Sequence, residues 1–146
     1  MKQSDRKIVI VSGGFDPLHV GHVRYIKDAS KLGEILIVIL NSDFFLYNKK
    51  GFVFMPFEER KEILFNLKHV TDVIDCIDED ETVCETLKHI RKTYPLDTII
   101  FAKGGDRTFD NIPEVPVCQA LGIEMVFDVG GGKVQSSQWL TKKSKT

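Results

Sequence analysis

Five short apolar runs rich in β-branched residues, separated by four stretches of helical spacing, constrain this chain more than any other feature of its sequence. The runs cover residues 8–11, 35–40, 70–74, 98–101 and 124–127, and their composition predicts strands buried on both faces. Helical spacing occupies residues 20–32, 56–67, 82–94 and, more briefly, 115–121. The expected order is therefore β-α-β-α-β-α-β-α-β. Gly33 and Gly122 stand where helices should stop, and Pro56 suits a first helical turn. Strands alternating with helices imply a parallel sheet with right-handed crossovers. Ligands of such sheets lie beyond the carboxyl ends of the strands, where the strand order reverses, so the residues after each strand are the ones to search.

A chain of 146 residues, 42% hydrophobic and with ten Phe, can bury the core of one domain. We expect a single unit over 1–146, with polar ends at 1–6 and 142–146 that are flexible. Twenty basic residues oppose 21 acidic ones for a net charge of −1. With no basic concentration before the tail, a nucleic-acid partner is not indicated. The apolar run at 8–11 is too short for a signal-peptide core or a membrane span, which makes the cytosol the default location and removes the membrane as a partner. Cys76, Cys84 and Cys118 form no CxxC pair and suit reduced thiols better than a disulfide framework.

Three of the four post-strand segments are rich in glycine and polar side chains. They are residues 12–22, Lys103-Gly-Gly-Asp106 and residues 128–133, and the fourth is Asn41-Ser-Asp43. A structural domain has no need of so much charge and backbone freedom on one sheet edge. In the first segment Gly13 and Gly14 allow close backbone approach to a ligand. His19 and His22, three apart at a helix start with Gly21 between them, can point toward one spot. A helix N-terminus favours phosphate, and two imidazoles beside it can donate hydrogen bonds to oxygens that gain charge during phosphoryl or nucleotidyl transfer. An arbitrary histidine pair at this spacing more often caps and covers its helix, but the Gly-rich setting reverses that preference. A zinc site wants a third ligand, and His69 and His89 fall in or beside other helices. The acidic stretch 75–81 precedes a helix whose dipole favours negative charge, so solvated carboxylates are its simpler reading.

Gly13-Gly-Phe-Asp-Pro-Leu-His-Val-Gly-His22 matches every fixed position of the G-x-F-D-x-x-H-x-G-H signature, and on it the chain resembles the cytidylyltransferase-like nucleotidyltransferases. The likeness runs from Lys7 to Leu140, through residues 36–43, Pro56-Phe-Glu-Glu-Arg60, Lys103-Gly-Gly-Asp106 and the Gly-rich loop leading to Ser136 and Ser137. Within that superfamily it is most similar to the adenylyltransferase domain of ADP-heptose synthesis and to glycerol-3-phosphate cytidylyltransferase. The resemblance implies a single three-layer α/β domain, Rossmann-like, with a five-stranded parallel sheet in the order 3-2-1-4-5. It implies attack of a substrate phosphate on the NTP α-phosphate with release of pyrophosphate, His19 and His22 steadying the α-phosphate, and Mg2+ travelling with the triphosphate. Gly13, Gly14, Phe15, Asp16, Gly21, Gly104, Gly105, Asp106, Ser136 and Ser137 would then serve the nucleotide, ATP or CTP. Asp16, Lys50 and Arg60 would serve a small phosphorylated acceptor. A homodimer is also implied.

Several positions keep a second reading. Ser136 suits simple N-capping, Lys103-Gly-Gly-Asp106 an ordinary turn, and Arg60 can reach either the substrate or an acidic helix neighbour such as Glu59. Relatives usually carry lysine or threonine where this chain has Leu46 and Tyr47, and a basic residue shortly after the serine pair, for which Lys133 or Lys142 can substitute. The region from Phe44 to Phe54 is aromatic, which suits a different substrate, a dimer contact, or both. The leading expectation is nucleotidyl transfer to a phosphorylated sugar or polyol. The alternatives are a flavin or amino-alcohol phosphate as acceptor, and a module that senses nucleotide without turnover.

Overall fold

The computed structural model describes residues 6–80, 82–104 and 112–130. Its elements are β1 (Lys7–Gly13), α1 (Val20–Ser30), β2 (Ile35–Leu40), α2 (Asp43–Lys50), α3 (Phe57–Phe65), β3 (Asp72–Asp75), α4 (Cys84–Thr93), β4 (Thr98–Gly104), α5 (Val115–Leu121) and β5 (Glu124–Val129). The five strands pair in parallel in the order β3-β2-β1-β4-β5, as expected. The chain runs outward from β1 to β3 and then crosses back to β4, so the strand order reverses between β1 and β4.

The central strands are apolar because both of their faces are covered. Val9, Val11, Leu36, Val38 and Leu40 pack with Ile26 and Ala29 of α1 and Leu64 of α3. Ile8, Ile10, Ile37, Ile39, Ile99 and Phe101 pack with Leu87 and Ile90 of α4 and Cys118 of α5. The result is three layers, helix on sheet on helix. Burial on both faces does not extend to the edges: in β3 only Val73 is buried and in β5 no residue is, since each strand has only one neighbour strand. β3 is also shorter than its apolar run. Val70 closes a turn on Leu67, and Thr71 bonds Leu36 through both its N–H and its hydroxyl before the strand begins.

α2 is an addition to the expected order, in a stretch read from sequence as a loop. Its signals are local: Ser42 accepts the N–H of Phe45 as N-cap, Asp43 stands in the first turn, Lys49 and Lys50 stand in the last, and Gly51 closes it at φ 82°. Residues 1–5 of the expected flexible start lie outside the described residues, as does the stretch 142–146. Arg6 is anchored, pairing with buried Asp97 at 2.9 Å. All three cysteines are free thiols. Among the described residues no helix is long and apolar enough to cross a membrane.

Candidate active site

The loop after β1 delivers its two histidines to the start of α1 through a capping box built from imidazoles. The backbone N–H of Gly21 donates to His19 Nδ1 at 3.0 Å, and the N–H of His19 donates to His22 Nδ1 at 3.3 Å. Histidine here takes both places that Ser/Thr and Glu hold in the usual capping box. The capping and catalytic readings of the pair are therefore compatible. With each Nδ1 accepting, each ring carries its proton on Nε2, so two Nε2–H donors stand at the helix N-terminus. The rings stack with centroids 3.9 Å apart at 27°.

Burial keeps this pair neutral. Desolvation lowers the His22 pKa to about 3, with a smaller contribution from the neighbouring His19, and desolvation also lowers that of His19. At neutral pH both rings are hydrogen-bond donors without full charge. Such donors hold an oxygen that gains negative charge in the transition state more strongly than they hold the ground state.

The rest of the loop is held from beneath by two charged side chains. Arg60 is 0% exposed: Nη1 donates to Gly14 O at 2.7 Å and Asn41 O at 2.8 Å, Nε to Met55 O at 2.9 Å, and Nη2 to Asp43 at 2.7 Å. Its carboxylate partner is Asp43, not Glu59. A guanidinium so buried and so bonded shapes the loop from beneath. Asp16, 2% exposed, accepts the N–H groups of Phe54 and Met55. It also pairs with Lys50 Nζ at 3.0 Å, and Lys50 donates to the Asp16 carbonyl at 2.7 Å. The Asp16 carboxylate thus ties the segment after α2 to the first loop. The Lys50 side chain beside it is 14% exposed.

The glycines have internal reasons as well. A Cβ on Gly14 would come within 2.5 Å of Leu46 Cδ2, so α2 seats Leu46 where a side chain on Gly14 would lie. Leu46 is buried where a lysine or threonine was expected from relatives, while Tyr47 beside it is 62% exposed. Gly104 packs against Val129 O and the ring of Tyr25, whose hydroxyl donates to Ala102 O. Tyr25 therefore ties the end of β4 to α1, a role that its place on an ordinary helical face did not announce. Phe15 is buried, with its ring against His22.

The structure thus brings Gly13, Gly14, Phe15, Asp16, His19, Gly21, His22, Lys50, Arg60 and Gly104 to the carboxyl edge of the sheet around the β1–β4 reversal. Asp43, which sequence singled out only as part of a post-strand segment, joins them through Arg60. Gly105, Asp106, Lys133, Ser136, Ser137 and Lys142 lie outside the described residues. His69 lies in the turn between α3 and β3 and His89 on α4. In the acidic stretch Asp78 is bonded rather than merely solvated, accepting the N–H groups of Glu85 and Thr86 at the start of α4. Among the described residues no group of three or more His, Cys, Asp or Glu is placed to hold a metal ion.

Comparison with known proteins supplies the context of this geometry. Residues 10–129 match the family model described as cytidylyltransferase-like. The bifunctional protein HldE of Pelobacter propionicus is 31% identical over 99% of this chain, which spans 27% of that protein. The chain covers about a quarter of the length of the other HldE relatives it matches along most of its length. The FAD synthase of Pyrococcus abyssi is 39% identical over 73% of this chain and 68% of its own length. Among solved structures, a lipopolysaccharide core biosynthesis protein from Thermoplasma volcanium shares the fold. It superposes with a TM-score of 0.65 at 23% identity, covering 84% of this chain and 95% of that one.

Proposed function

The chain belongs to the cytidylyltransferase-like family, and from that premise we propose that it transfers a nucleotidyl group from an NTP to the phosphate of a small metabolite. An acceptor phosphate oxygen forms a bond to the α-phosphorus. The bond from that phosphorus to the oxygen bridging it to the β-phosphate breaks, and pyrophosphate leaves with the electron pair. Mg2+ enters with the triphosphate as part of the substrate and offsets its charge.

The observation that carries this reading is the imidazole capping box: both Nδ1 atoms accept backbone N–H groups, so both Nε2–H groups are offered at the α1 N-terminus. An α-phosphate held there gains two directed donors and the positive end of the helix together. We assign the acceptor phosphate to Lys50, whose ammonium pairs with Asp16 beside the first loop. A phosphorylated sugar or polyol is the leading acceptor, supported by the HldE relatives. The FAD synthase likeness together with the exposed rings of Phe44, Tyr47 and Phe54 supports a flavin phosphate as the second reading. The same rings support a homodimer.

The test is pyrophosphate release with Mg2+, crossing ATP and CTP against sugar, polyol, amino-alcohol and flavin phosphates. Release with one NTP and one acceptor identifies the reaction. NTP binding without release from any pair would favour a nucleotide-sensing module instead.

A further inference from the structure

Phe15 has a left-handed backbone, φ 50°, a conformation shared by only one other non-glycine residue among those described, Asp128 at φ 57°. For a bulky side chain that conformation is strained, and it persists only where surrounding packing over-determines it. The packing here is specific. The ring is 4% exposed. On one side it lies over the bare Cα of Gly13, where an added Cβ would come within 3.2 Å of Phe15 Cε2. On the other it meets the His22 imidazole edge to face, with centroids 4.9 Å apart at 68°.

His22 needs such a neighbour. Its Nδ1 is fixed by the His19 N–H, and one direction of its ring is fixed by the stacked His19. A single hydrogen bond at 3.3 Å leaves the imidazole free to tilt about that contact. A second aromatic surface at a steep angle removes that tilt, because edge-to-face packing prefers one arrangement where an aliphatic chain would accept many.

We infer that Phe15 is a positioning residue for the transfer reaction: its ring, wedged between Gly13 and His22 by a left-handed turn, fixes the direction in which His22 offers Nε2–H to the phosphate. The inference rests on the nucleotidyl-transfer reading for its catalytic consequence but not for its geometry. The Phe15 ring then acts through His22, and Gly13 gives it room, because a Cβ there would press on Cε2 at 3.2 Å. Burial by this ring also contributes to the desolvation that keeps His22 neutral.

Imidazole NMR on the intact chain without nucleotide, recording the nitrogen shifts and titration of His22, tests the geometry. In Phe15→Leu, which keeps apolar volume but has no ring edge, the His22 signals should leave the single Nε2–H tautomer, and its pKa should rise by about one unit or more. Turnover should fall about tenfold or more while KM for the NTP changes by less than about threefold. Gly13→Ala should shift the same signals in the presence of Phe15 and add little in Phe15→Leu. Phe15→Met serves if the leucine variant does not fold. A folded Phe15 variant with unchanged His22 signals overturns the inference, whatever its turnover. A wild-type protein with no transfer activity would overturn the proposed reaction and leave the NMR result to decide the role of Phe15.

Discussion

His22 resists a proton, and that resistance has a sign that can be followed in stability. Its folded pKa of about 3 lies below the ordinary 6.5 of an unfolded chain. The stabilisation of the neutral folded form is therefore fully present above pH 6.5. It is lost as pH falls from there toward 3, because the unfolded chain takes up the proton first. While pH lies between the two values, the loss is at most about 1.4 kcal/mol per unit for this one group. Urea midpoints at pH 7.5 and 5.0 should separate more in the wild type than in His22→Asn, whose amide oxygen can still accept the His19 N–H. Equal separation would place the acid sensitivity elsewhere. A bound triphosphate should act in the opposite direction, raising both imidazole pKa values toward the ordinary range, which NMR titration with a non-hydrolysable NTP would detect.

At the level of elements, the site depends on how α2 and the segment leading into α3 are pinned to the first loop. Arg60 joins the carbonyls of Gly14, Asn41 and Met55 to the Asp43 carboxylate. Removing it leaves the buried Asn41 carbonyl and the part-buried carbonyls of Gly14 and Met55 short of a donor. Arg60→Ala should cost about 1–3 kcal/mol of unfolding free energy from the unsatisfied carbonyls, measured by urea denaturation. Glu59→Ala, one residue away and exposed, should change stability by less than about 0.5 kcal/mol. Comparable losses would contradict the clamp. The buried roles of Arg60 and Asp16 were not legible in sequence because their partners are backbone groups, which carry no residue identity, and lie up to 46 residues away. The strands were legible because two-sided burial writes itself as β-branched runs. α2 was missed because three aromatics in eight residues lower its helix propensity, although Ser42 and Gly51 marked both of its ends. The histidine pair was legible from spacing and setting. Its tautomers were not, since they follow from which backbone N–H each Nδ1 accepts.

For the whole molecule, the reversal between β1 and β4 gathers loops from distant parts of the chain onto one sheet edge, and the expected strand order was enough to locate that edge. Around it Phe44 is 69% and Tyr47 62% exposed, and we propose that these rings meet a second copy of the chain. Sedimentation should show a dimer that Phe44→Glu with Tyr47→Glu shifts toward monomer. A monomeric wild type would assign those rings to the acceptor or to neither role. The most direct test of the account is pyrophosphate release by the wild type against His19→Ala and His22→Ala, using the NTP and acceptor that the panel selects. The account predicts a fall in turnover of about a hundredfold or more in each variant, with the fold retained. Wild-type turnover in either histidine variant would contradict it.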